Sequence, residues 1–70
     1  MLRIKLWRLQ NQLKQGEAAT RLGLGLSTFA LLESGRLRPT GAQMELLRRA
    51  FGTEAETLFD PVQERVGVQS

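Results

Sequence analysis

Seventy residues, 41% of them hydrophobic and 24% charged, leave room for one small globular domain and no second core. There is no cysteine and no histidine, which excludes a disulfide scaffold, a zinc finger and any Cys- or His-based catalysis. The net charge of +3 is unevenly laid out, with seven basic and two acidic side chains in residues 1–40 against three and five in residues 41–70; this is either ordinary surface charge or one face turned toward a polyanion.

Glycine and proline punctuate the chain into five short predicted helices. The first covers about residues 3–12. The second covers about 15–22 and stops at Gly23, a residue suited to the left-handed conformation at a helix end. The third covers about 26–34 and stops at Gly35. The fourth follows Thr40, a good N-cap, and runs to Phe51 before Gly52. The fifth begins at Thr53, where Thr53 and Glu56 have capping-box spacing, and ends at Asp60-Pro61. No alternating strand pattern competes until Val62, Glu64, Val66 and Val68. The expected organisation is a domain over residues 1–61 and a tail over 62–70 that is either flexible or a short strand.

Helical phase assigns the core. Ala18, Ala19 and Leu22 share one face of the second helix, Phe29 and Leu32 one face of the third, and Met44, Leu47, Ala50 and Phe51 one face of the fourth. Leu58 and Phe59 close the fifth. Leu13 and Leu24 sit in connections and should turn inward, and Trp7 is expected to fill the space over the two small alanines. On the first helix, Ile4, Trp7 and Arg8 lie on one face while Leu2, Leu6 and Leu9 repeat on another. Either the helix rolls and buries some of these leucines, or they form a stripe for a second subunit or partner.

No run approaches the roughly 18 apolar residues of a membrane span. Charges interleaved through Met1–Arg8 are unlike a signal peptide, so a soluble cytoplasmic domain is expected. Gly23-Leu24-Gly25 lacks the third glycine, the preceding strand and the downstream acid of a nucleotide-binding loop. Ser27, Ser34 and Ser70 have no histidine to activate them, and the carboxylates do not fall in metal-ligand spacing. Trp7, Phe29, Phe51 and Phe59 occupy core positions rather than a base-stacking platform. No enzyme activity, cofactor or metal is expected.

The stretch Leu13-Lys14-Gln15-Gly16-Glu17-Ala18-Ala19-Thr20-Arg21-Leu22-Gly23-Leu24, followed by Phe29-Ala30-Leu31-Leu32-Glu33-Ser34-Gly35-Arg36-Leu37-Arg38-Pro39-Thr40, resembles the phage-repressor and Cro type of helix-turn-helix DNA-binding domain. The resemblance runs without a gap from about residue 4 to residue 59. The joint spacing of Gln15, Ala19, Gly23, Glu33, Gly35 and Pro39 carries it. It implies an all-α, compact five-helix, lambda-repressor-like domain with its helix-turn-helix unit at about 15–34.

The same resemblance implies roles. Gln15 would touch a phosphate and brace the recognition helix, with Lys14 beside it. Leu26, Ser27, Thr28 and Leu31 would face the major groove. Arg36 and Arg38 would hold the backbone, and Arg8 would pair with Glu33. The partners implied are double-stranded DNA and a second copy, since repressors of this type dimerise on half-sites about 34 Å apart; Leu2, Leu6, Leu9, Val66 and Val68 are the candidate dimer or partner surface. No membrane partner is implied.

The sequence departs from the family pattern at the reading helix. Groove-facing positions that usually carry Gln, Arg, Asn or Lys are here mostly apolar, and Leu31 faces away from Phe29 and Leu32. An outward leucine cannot make the bidentate bonds that separate base pairs. It can touch thymine methyls, or it can dock a protein. Two function classes therefore stand: a small DNA-binding regulator, such as a phage or antitoxin-type repressor, and a protein-binding adaptor on the same scaffold. Gly25 stands where the pattern has a Ser or Thr cap, and Arg48 stands where it has a small buried residue and should snorkel along Met44 and Phe51.

Overall fold

A computed structural model describes residues 1–62. Among these there are four α-helices, α1 (Arg3–Gln10), α2 (Gln15–Leu22), α3 (Leu26–Glu33) and α4 (Gly41–Phe51), followed by a 3₁₀ segment over Gly52–Thr57. The described residues form no strand, only an isolated antiparallel bridge between Leu2 and Pro61.

Helix α1 has no capping side chain at its start. The chain supplies the missing acceptors from its other end. The Arg3 amide donates to the Asp60 carbonyl at 3.0 Å and the Ile4 amide to the Leu58 carbonyl at 2.9 Å. The Val62 amide donates to the Met1 carbonyl at 2.8 Å. Pro61, which has no N–H to give, sits between these bonds opposite Leu2. These contacts satisfy first-turn donors that a helix cannot satisfy by itself.

The predicted first helix ends early, at Gln10 rather than near residue 12. The backbone turns through Gln12 at φ 57°, which lets Leu13 pack on the core. The other α-helical limits lie within a residue of the periodicity. The Thr40 hydroxyl accepts the Gln43 amide at 3.2 Å, and the Gln43 side chain returns to the Thr40 amide at 2.9 Å. That reciprocal pair starts α4.

The fifth α-helix does not form. Its residues take 3₁₀ geometry from Gly52 with Phe51 at the N-cap, so Thr53 lies inside the segment and no Thr53–Glu56 capping box forms; the Glu56 carboxylate accepts from Arg48 Nε at 2.8 Å instead. The 3₁₀ repeat has a packing reason. Ala55 and Leu58 are both buried and lie three residues apart, and residues at that spacing stack on one side of a 3₁₀ turn. Arg48 also binds Glu45 at 2.7 Å; these two carboxylates, Glu56 first, raise the guanidinium pKa above its ordinary value.

The core cluster draws on every element: Ile4 from α1, Ala18, Ala19 and Leu22 from α2, Phe29 from α3, Leu47 from α4, then Ala55 and Leu58. Leu32 is equally buried. Trp7 packs on this cluster and meets Phe51 edge-on, ring centroids 5.1 Å apart at 79°. Ala50, expected inward, is exposed, because Met44, Leu47 and Phe51 already complete the buried face at spacings of three and four. The leucine stripe of α1 is not a continuous exposed surface. Leu2 packs against the core cluster, Leu6 is half-buried, and only Leu9, 46% exposed, stands clear. Val66 and Val68 lie outside the described residues.

Candidate nucleic-acid interface

Helices α2 and α3 are each cut to length by the same device. After α2, Gly23 adopts φ 78°; its amide bonds the Thr20 carbonyl at 3.1 Å and the Leu24 amide bonds the Ala19 carbonyl at 2.8 Å. After α3, Gly35 adopts φ 79°; its amide bonds Leu32 at 3.1 Å and the Arg36 amide bonds Leu31 at 3.0 Å. Both are Schellman closures, which glycine accepts without the Cβ penalty of other residues. The first fixes the turn between α2 and α3, with Leu24 packed on the core. The second turns the chain out of α3 into the Arg36–Arg38 segment.

Helix α2 opens at Lys14, whose amide donates to Glu17 Oε1 at 2.7 Å. The return half of a capping box is chemically closed here, since an ammonium group has no acceptor. Helix α3 opens at Gly25 with no side-chain cap at all.

One carboxylate ties the unit to the rest of the domain. Arg8 Nε donates to Glu33 Oε2 at 2.5 Å and Nη2 reaches Oε1 at 3.4 Å. Gln15 Nε2 donates to the same Oε1 at 2.8 Å. Arg8 Nη1 also donates to the Leu13 carbonyl at 2.8 Å. Glu33 is 5% exposed, so its charge is compensated almost entirely by these partners. The start of α2, the end of α3 and the middle of α1 are thereby held together at one buried point.

Helix α3 turns Phe29, Leu32 and Glu33 inward. Its outer face carries Leu26, 55% exposed, and Leu31, 41% exposed, with Ser27 exposed and Thr28 half-buried. Lys14, Arg36 and Arg38 are exposed. Among the described residues, no carboxylate lies within salt-bridge distance of these three cations. The outcome is a helix of eight residues with no charge on its outer face; exposed Lys14 precedes α2, whose first residue meets the end of α3, and exposed Arg36 and Arg38 follow α3. The Gln15 side chain lies between α2 and α3 rather than projecting alone.

The resemblance implies that Gln15 braces α3, but the sequence does not name Glu33 as its partner, nor does it anticipate the Ser34 hydroxyl donating to the Leu31 carbonyl at 3.0 Å. Spacing could have suggested the Ser34 bond, since a Ser just past a helix often bonds back by three residues. Nothing local could have suggested Glu33 as the partner of Gln15. Among the described residues, no group of His, Cys, Asp or Glu could hold a metal ion, and no helix is long and apolar enough to cross a membrane.

A family model described as a helix-turn-helix domain matches residues 2–60. No curated protein and no solved structure matches the chain.

Proposed function

The chain belongs to the helix-turn-helix domain family, and from that premise we propose that it is a sequence-specific DNA-binding transcriptional regulator, a small cytoplasmic repressor of the phage or antitoxin type. The observation that carries this reading is the uncharged outer face of α3 together with three exposed cations near its end, Lys14 just before α2 and Arg36 and Arg38 just after α3. Exposed cations beside the helix suit phosphates, which position a protein on the duplex, while the uncharged helix face suits the major groove. Gln15 keeps one amide hydrogen beyond the one given to Glu33, so it can brace α3 and still donate to a phosphate. The protein works as a homodimer, because eight residues of helix span too few base pairs to define a site; two copies on half-sites about 34 Å apart supply the length. Leu9 is the exposed remnant of the leucine stripe available to such a contact.

Selection from a random duplex pool tests the reading. A consensus with two related half-sites is expected. Recovery of no enriched sequence would overturn it. A second reading, a protein-binding adaptor, draws on the exposure of Leu26, Leu31 and Leu37, which would suit an apolar partner groove. The exposed cations beside α3 favour DNA.

A further inference from the structure

We propose that α3 reads DNA through C5-methyl groups in the major groove, those of thymine or of 5-methylcytosine, rather than through paired base-edge hydrogen bonds. The inference rests on the DNA-binding reading above and specifies what the site recognises.

At about 100° per residue, the outer arc of α3 runs in the order Leu26, Ala30, Ser27, Leu31, Thr28. Leu26 and Leu31 are 55% and 41% exposed and stand about 140° apart on that arc, with Ser27 between them. No residue of α3 is Arg, Lys, Asn or Gln, the side chains whose forked donors distinguish guanine or adenine by two bonds at once. The one acid of the helix, Glu33, is buried and engaged by Arg8 and Gln15, so it cannot accept from cytosine. Gln15, the amide nearest to hand, gives one hydrogen to Glu33. What the arc offers a base edge is two hydroxyls and two branched apolar side chains.

The major groove has one apolar feature to match them, the methyl group at C5 of a pyrimidine. Thymine always carries it, and cytosine carries it after methylation. In the free protein both leucines are in water; against methyls they leave it, and each methyl buried adds about fourfold to affinity. Ser27 and Thr28 each donate or accept, so they tolerate several bases. The hydroxyls then set register while the leucines select methylated pyrimidines.

The experiment uses the full chain and the best duplex recovered by selection, titrated by fluorescence anisotropy in three forms. In the first, thymine is intact. In the second, deoxyuridine replaces thymine at the contacted positions, which removes only the methyl. In the third, those positions carry cytosine or 5-methylcytosine. The expected result is a loss of about fourfold per methyl in the deoxyuridine duplex. A gain from cytosine to 5-methylcytosine adds methylated cytosine as a source, and no gain there assigns the effect to thymine alone. Leu31→Ala should reduce the difference between thymine and deoxyuridine duplexes, and Leu26→Ala combined with Leu31→Ala should erase it, while both leave the salt dependence and the circular dichroism spectrum unchanged; both leucines are exposed, so the fold does not depend on them. Equal binding of thymine and deoxyuridine duplexes, with salt-dependent affinity retained, would overturn the methyl proposal and leave the DNA-binding reading standing. Binding to no duplex would overturn both and leave α3 as a protein-docking face.

Discussion

The side-chain amide of Gln15 donates to the Glu33 carboxylate at 2.8 Å, across 18 positions of sequence. Arg8 approaches the same carboxylate from α1. The opening residue of α2 and the closing residue of α3 therefore share one buried charge, and the angle between the two helices depends on it. A base-reading helix has to be held rigidly to be selective; in this domain the acid with its two donors adds to the Gly23 turn and the burial of Phe29 and Leu32.

Glu33→Ala should be among the most damaging substitutions. It leaves the Arg8 guanidinium, 12% exposed at its side chain, without its counter-charge and Gln15 without its acceptor. A loss of about 3 kcal/mol is expected, the lower end for breaking a buried pair, read from the urea unfolding midpoint. Arg8→Met combined with Glu33→Leu should cost less than Glu33→Ala, because no charge is stranded. A Glu33→Ala protein as stable as the parent would show that the carboxylate is not compensated in the way its geometry requires.

Gln15 and the two arginines should separate in their effects. Gln15→Ala removes a hydrogen bond to a charged group and should lower stability by about 1.5 kcal/mol as well as weakening DNA binding. Arg36→Ala and Arg38→Ala touch nothing within the described domain by ion pairing, so stability should stay level while each lowers the salt slope of binding by about 0.9. Thermal melts beside binding isotherms at three salt concentrations check both halves.

Thr40 and Thr53 form a matched comparison. Both begin a capping-box spacing, but only Thr40 accepts a backbone amide, at 3.2 Å. Thr40→Ala should cost about 1 kcal/mol, and Thr53→Ala should be nearly neutral. Equal losses at the two positions would mean that the 3₁₀ segment is an α-helix in solution.

That pair also shows where sequence reading succeeds and fails. Helix limits set by one residue's own chemistry were legible: Gly23 and Gly35 reverse the chain, and Thr40 caps α4. The same local signal at Thr53 misled, because the 3₁₀ segment already begins at Gly52 and because the core wants Ala55 and Leu58 three residues apart. Periodicity puts Leu2 on a different face of α1 from Ile4 and leaves open whether it is buried or offered to a partner. Its partial burial follows from the Asp60–Val62 segment folding back over the start of α1, a contact between the two ends of the domain that no local pattern encodes. On the candidate interface, the exposure of Leu31 followed from the phase of Phe29 and Leu32, whereas the Gln15–Glu33 bond required the tertiary fold.

Gly25 offers a gain rather than a loss. It holds the N-cap position of α3 at φ −72° and ψ 155° with no side-chain bond, and a Cβ there would meet nothing within 4 Å. Gly25→Ser should add the missing cap and raise stability by about 0.3 kcal/mol, seen as a small upward shift of the thermal midpoint. A lower midpoint would mean that the serine side chain is strained at this position.

The most direct test of DNA binding through this face is the salt dependence of affinity for a selected duplex. If Lys14, Arg36 and Arg38 each neutralise one phosphate, log K should fall against log salt with a slope of about −2.7 per domain, and the Arg36→Ala, Arg38→Ala double variant should bring that to about −0.9. An affinity that barely responds to salt, or a slope left intact when both arginines are removed, would contradict the account.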